Sequence, residues 1–462
     1  MLAAIGLLMQ INLSCRKSDK ADTSPGLQLA FSTDTVFFDT VFPTIGSITQ
    51  RLVVHNTNKN KVSVSSIRLA GGQSSSYRIN VNGTPAVSAA DVEIAGGDSL
   101  YIFVRVTIDP NNLNTPFVVS DSIEFVTNGS LQNVKLVAWG RNAIFYRKAS
   151  LKGTVTWDSL RAHVIFESLR LDTNSTLIMM PGTRVYFHKD ASMAVSYRST
   201  LKILGTLEQP VRFQGDRMDT YYKDLPGQWG GIHLEQGSRD HEFNHTIIKN
   251  GTYGLWIDSL GNPGSHMLSI KNSIIQNMTS IGLYAYGSDI YSENCVIGDC
   301  GGSSLYIEYG GSYDFRQLTV GNYWYTSVRH APAIYLSNYY SDTLGQKRSN
   351  ALAKCYFGNV ILYGSNDEEI GLDSVTSVQF VYTFDHAILK TKLKTTNPSR
   401  YINCMVNKNP RFVDVSKLDY RIDSISPAIG YGSTTVGIQF DILGNDRGNE
   451  PDLGAYQYVK KN

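Results

Sequence analysis

The chain has 462 residues, with 42 Lys and Arg against 40 Asp and Glu, for a formal charge of +2. That length exceeds one ordinary core, so two domains plus processing segments are predicted. The near-neutral balance excludes nucleic acid as a partner, which would call for a concentrated basic stripe, and 40 Gly, 27 Tyr and 18 Phe point to many short strands joined by turns.

The chain opens on MLAAIGLLMQINLS, an apolar run that ends at Cys15 and is followed by the polar stretch RKSDKADTSPG. The run is too short to cross a bilayer comfortably. It resembles a bacterial lipoprotein signal peptide, which implies that residues 1–15 are the leader and lipidation cysteine, with Cys15 the lipidated new N-terminus, and that residues 16–26 are a linker. The resemblance further implies an exported, Bacteroidota-type lipoprotein held at the outer membrane by its lipid alone, with the periplasmic or surface side open. Cys295, Cys300, Cys355 and Cys404 are widely and irregularly spaced, unlike a disulfide scaffold or a zinc ribbon. Buried free thiols are expected, with a single disulfide as the alternative.

Residues 27–141 carry RLVVHNT, KVSVSSIRL, DSLYIFVRVTI, DSIEFVT and NVKLVAWG, short alternating strands separated by Asn, Gly, Pro and Asp turns. This is the pattern of an antiparallel sandwich. The stretch resembles immunoglobulin-like domains of the kind found in major sperm protein and in ciliary proteins, which implies spacing or protein contact and no catalysis.

From residue 142 to 409 the chain repeats itself. Leu255, Leu283, Leu305 and Ile334 each follow a small residue and precede an aromatic, at spacings of 28, 22 and 29 residues. A second series, HTII, NSII and NCVI, is offset from the first. At least two short strands per repeat, Asn- or Gly-rich corners and a period near 22 are the signature of a parallel β-helix. The region resembles right-handed parallel β-helix proteins, a family that includes pectate lyases, polygalacturonases and many surface lipoproteins. Residues 410–462, with NPRFVDVSKLDYRIDSISPAIGYG and FDILGNDRGNEPDLGAYQY, resemble the closing segment of exported bacterial β-helix proteins. The fold class predicted is therefore all-β: an immunoglobulin-like sandwich followed by a right-handed parallel β-helix with a C-terminal cap. Asp446, Arg447 and Asp452 are read as structural residues of that cap.

Alternation along a strand sends Leu255 and Ile257 inward and Trp256 outward, and does the same for Tyr284, Tyr306 and Tyr335. Coils stacked about 4.8 Å apart would align these rings in a column roughly 14 Å long. Such a column either stacks for its own stability or forms a carbohydrate platform, with Asp258, Tyr286 and Glu308 on the same face to bond sugar hydroxyls. The candidate ligand-binding residues are thus Trp256, Tyr284, Tyr306, Tyr335, Asp258 and Glu308.

No catalytic residue, metal site or cofactor is assigned. H241-E-F-N-H245 matches the H-E-x-x-H of zinc peptidases, but in a strand His241 and His245 would lie about 13 Å apart, too far to share a metal. The polygalacturonase motifs N-T-D, G-H-G and R-I-K are absent. Asp258 and Glu308 hold equivalent strand positions two coils apart, at the upper limit for an inverting carboxylate pair. Asp367, Glu368 and Glu369 are read as a surface turn. The sequence is read as a non-catalytic envelope protein that binds a polysaccharide or an envelope protein through the solenoid flank. A polysaccharide lyase or glycoside hydrolase is the alternative, and a purely structural surface component the third reading.

Overall fold

Alternating apolar residues decide the first unit. In Ser99–Val106, Leu100, Ile102, Val104 and Val106 are buried while Tyr101, Phe103 and Arg105 face outward, and Gln50–His55 and Tyr77–Val81 follow the same rule. The computed structural model describes residues 21–41, 46–108, 117–140, 142–218, 222–258 and 266–460, so Cys15 and the leader expected before it lie outside the described residues. The chain divides into two compact units at Asn142 and Ala143.

Among the described residues, the first unit is two five-stranded sheets around one core of Leu52, Val54, Ile102, Phe125 and Leu136. One sheet runs Ala30–Phe31, Gln50–His55, Ser99–Val106, Tyr77–Val81, Thr84–Ala86. The other runs Thr35–Val41, Ser130–Gly140, Phe117–Thr127, Val62–Leu69, Ser88–Ile94. All pairings are antiparallel except that of Thr35–Val41 with Ser130–Gly140, which is parallel.

In the second unit, 23 strands among the described residues form one sheet whose order is the order of the sequence. His241–Asn244, Thr246–Lys249 and Leu255–Ile257 pair in parallel with Leu268–Lys271, Ile274–Met278 and Leu283–Glu293 in turn. Three strands thus make one coil, and the unit is a parallel β-helix. Leu255, Leu283, Leu305, Ile334 and Ile370 lie in register and fully buried. A second interior ladder, which the repeats did not reveal, stacks Phe315 on Phe357, Phe384 and Tyr401 at centroid separations of 5.1, 4.8 and 5.7 Å.

One corner of the coils turns on a single residue with positive φ: Asn272, Asn294, Gln317, Asn359, His386 and Asn403. Asparagine tolerates this left-handed conformation, which costs other L-residues about 1–2 kcal/mol. Its amide also links coils: Asn272 Nδ2 donates to Asn244 Oδ1 and Asn294 Nδ2 to Asn272 Oδ1, each at 3.1 Å. Asn272→Ala is expected to lower stability by about 2 kcal/mol and Asn272→Gly by less, since glycine keeps the conformation and loses only the amide bonds. Denaturant titration of the two variants checks the order.

The closing segment lies along the flank of the final coils. Phe412 meets Tyr323 edge-on, while Tyr420 lies on Gly298 and Gly321, where an added Cβ at Gly321 would come within 2.2 Å of the ring. Arg447 is buried, which pulls its guanidinium down to about 10. It donates to Asn294 Oδ1 and to the Gly454 and Ala455 carbonyls at 3.0–3.1 Å. Asp452 accepts from the Gly430 and Tyr458 amides, and Asp446 from Gly448. Arg447 fastens the segment to the asparagine corner, while Asp452 and Asp446 brace the segment from within. No helix among the described residues is long and apolar enough to cross a membrane.

Candidate functional site

Register alone builds the outward column. Trp256 pairs with Tyr284, Tyr284 with Tyr306, and Tyr306 with Tyr335. The rings follow at centroid separations of 4.1, 5.6 and 4.7 Å, inclined by 36°, 29° and 23°. They therefore lie nearly face to face, and each covers its neighbour. Tyr284, in the middle, is only 8% exposed, while Trp256, Tyr306 and Tyr335 are partly buried. The ends are closed as well: the Gly371 backbone sits on Tyr335, and Tyr253 and His233 meet Trp256 edge-on. What the column offers a ligand is ring edges and phenol oxygens, and the flat faces expected of a sugar platform are turned toward one another.

The carboxylates are tied to the rings. Trp256 Nε1 and His233 Nε2 both meet Asp258, each at 2.7 Å. Tyr284 Oη donates to Glu308 at 2.6 Å. Tyr335 and Tyr339 share Asp373, at 3.0 and 2.6 Å. Burial and the neighbouring carboxylates push the phenols up, Tyr306 to about 12 and Tyr284 further, so the column is made of neutral hydroxyls. Asp258 and Glu308 are separated by one coil, in which Tyr286 pairs with Glu308. Among the described residues no Lys or Arg forms an ion pair with Asp258, Glu308 or Asp373; Asp258 pairs only with His233.

A second group of tyrosines adjoins the column. Tyr286 stacks on Tyr309 at 4.8 Å, and Tyr340 meets both edge-on. Tyr339 and Tyr340 belong to a hairpin, Tyr339–Ser341 with Lys347–Ser349, inserted between coils. Asp342 and Gly345 at its turn are the sequence signal that would have found it. Lys347 Nζ lies 4.0 Å over the Tyr339 ring.

The other motifs do not assemble a centre. The H-E-x-x-H segment is a strand, His241–Asn244, with His241 buried and accepting from the Leu201 amide while His245 occupies a left-handed corner. Cys295, Cys300, Cys355 and Cys404 are free thiols, the first three buried, and burial pushes them up. Among the described residues no group of three or more His, Cys, Asp or Glu is placed to hold a metal ion.

Residues 219–322 match a family described as "Right handed beta helix region", which agrees with the coils. No curated protein matches the chain. Of the solved structures it is similar to, the catalytic domain of a GH87 alpha-1,3-glucanase in complex with tetrasaccharides covers 77% of this chain and 90% of its own at 9% identity, with a TM-score of 0.23. A family 123 glycoside hydrolase from Clostridium perfringens covers 27% of this chain at 10% identity and a TM-score of 0.19. The E. coli chaperone DraB covers 25% at 10% identity and a TM-score of 0.17. This chain spans 30% and 55% of the length of those last two. Likeness at these TM-scores carries no argument about activity.

Proposed function

We propose that this chain is an exported, lipid-anchored envelope protein that binds an uncharged polysaccharide along the Trp256–Tyr335 flank without cleaving it. The observation that carries this reading is the in-register column of neutral ring hydroxyls with Asp258, Glu308 and Asp373 beside it. Carboxylates that already accept ring donors keep lone pairs for sugar hydroxyls. The same charges repel uronates and sulfated sugars. The apolar leader ending in Cys15 supports export and lipid anchoring.

The test is co-elution of the protein with neutral and acidic polysaccharides by size-exclusion chromatography, with glycan chain length followed in parallel. A neutral glycan should co-elute at unchanged length, and Trp256→Ala with Tyr306→Ala together should weaken its binding at least tenfold, about 1.4 kcal/mol. Binding that the double variant leaves intact would overturn the flank as the site.

Cleavage is a second reading that one observation favours: His233 is held by Asp258 beside Trp256, and an imidazole oriented by a carboxylate has the form of a general base. Chain shortening in the same experiment, abolished by His233→Asn, would establish it. A protein that binds no glycan in the panel would leave a protein partner or a structural role.

A further inference from the structure

The first unit holds a cleft of about 620 Å³ that the solenoid reading does not use. It is lined by Thr49, Arg78, Asn80, Pro85, Phe103 and Arg105 among others, and its volume falls within the range of small-molecule sites. Its floor is the outer face of Ser99–Val106 and Tyr77–Val81, where Arg78 stands directly opposite Arg105 and Asn80 opposite Phe103. Arg51 lies on the far side of Phe103 in the same row.

Like charges directly opposite each other destabilise a sheet, and here no carboxylate offsets them. Among the described residues none of the three arginines has an acidic partner, although Lys61 and Arg68 in the same unit do. Arg78 is oriented by its own backbone, with Nη1 donating to the Ser75 and Tyr77 carbonyls at 2.5 and 2.7 Å. Phe103 is 39% exposed between the arginines. Asn80 Oδ1 is buried and accepts no hydrogen bond, which leaves an acceptor wanting a donor at the cleft wall. Two guanidinium groups, an apolar ring and an unsatisfied acceptor are complementary to one kind of molecule: an anion, an apolar C–H face and a hydroxyl group joined in a single unit.

We infer that this cleft is a second, independent binding site, and that it takes an acidic sugar residue, with the carboxylate between Arg78 and Arg105, the sugar face on Phe103 and a hydroxyl donating to Asn80. Guanidinium groups bind carboxylates by charge-assisted, often bidentate hydrogen bonds. The inference does not depend on the flank, whose carboxylates select against the same ligand.

The test is calorimetric titration of the full chain with trigalacturonate, with an uncharged trisaccharide and with inorganic sulfate, at low and high salt. Trigalacturonate should bind, more weakly as salt rises, and Arg105→Met should reduce its affinity at least tenfold. In the absence of ligand the same variant should melt about 1–2 °C higher, because it removes an unrelieved like-charge pair; an arginine with a merely structural role would melt lower on removal. The inference is overturned if trigalacturonate does not bind at millimolar concentration, if Arg105→Met leaves its affinity unchanged, or if the neutral trisaccharide binds equally. Sulfate binding as tightly as trigalacturonate would reduce the site to a simple oxyanion hole and overturn the sugar assignment. Trp256→Ala should leave trigalacturonate binding unchanged, which separates this site from the flank.

Discussion

Glu369→Ala is expected to destabilise the solenoid by about 3–5 kcal/mol, the cost of leaving a buried charge without its partner. The Arg329 and Glu369 side chains are 1% and 0% exposed and join in a two-pronged pair, at 2.6 and 2.8 Å. Most of the remaining capacity is also used, with Arg329 Nε buried and unpartnered. Arg329 donates to the Ala331 and Asn322 carbonyls, and Glu369 accepts from the Ala333 and Asn366 amides. The pair therefore fastens the loop of residues 323–333 at the point where the chain enters Ile334–Ser337, the strand that carries Tyr335. Replacing both partners with apolar residues, as in Arg329→Met with Glu369→Leu, should recover most of the loss, because the desolvation penalty disappears along with the attraction. Denaturant titration of the single and double variants measures the difference. A loss below about 1 kcal/mol for Glu369→Ala would show that the pair is not holding the loop.

The same residue marks where sequence reasoning stops. Asp367, Glu368 and Glu369 read as a surface turn because three acids in a row are ordinarily solvated, and the structure corrects this for Glu369, whose partner lies forty positions earlier in the chain. Asp367 keeps the expected setting, exposed and paired with Lys392. No local pattern reports a contact between a loop and a strand one coil away. The repeats, by contrast, were legible because a solenoid makes sequence spacing and spatial neighbourhood nearly the same thing. Period-2 alternation then placed Trp256, Tyr284, Tyr306 and Tyr335 on one face, and the register of the strands puts them side by side.

Alternation says which face a side chain leaves from and nothing about how it lies afterwards. The rings could have stood with their faces to solvent; they lie on one another, and Tyr284 is buried as a result. The carboxylates were placed on the right face for the same reason, yet their ties to Trp256, Tyr284 and His233 follow from side-chain torsions that the sequence does not state. The interior ladder of Phe315, Phe357, Phe384 and Tyr401 escaped notice because the insertions between these coils are long and unequal, so no fixed spacing links the four.

Acid should weaken the second unit already between pH 7 and pH 5, and His241 is the main reason. Its ring is buried among Leu201 and its neighbours, Nδ1 accepts from the Leu201 amide, and Nε2 has no partner. Burial alone pulls it down to about 3. His163, stacked on Trp157 at 4.0 Å, is drawn down to about 4, chiefly by burial. Both bases thus titrate lower in the fold than in the unfolded chain, where the ordinary value is about 6.5. Their contribution is fully present above pH 6.5 and is lost as pH falls toward 4 and 3, because only the unfolded chain takes up the protons in that window. Each costs about 2 kcal/mol by pH 5. Asp299 works in the opposite sense. Burial raises it to about 6, so its contribution is present at low pH and is lost as pH rises through that value, which returns about 1.4 kcal/mol on going from pH 7 to pH 5. Buried Asp216 and Asp452 are raised as well and add to the same side. The net expectation is a loss of roughly 2–3 kcal/mol between pH 7 and pH 5. His241→Gln keeps an acceptor for the Leu201 amide and removes the titration, so its stability should fall by about 2 kcal/mol less than that of the parent chain over the same interval. Denaturant midpoints of the two proteins at pH 7 and pH 5 decide the matter: parallel losses would mean that His241 takes up its proton inside the fold, and that the core around it admits water.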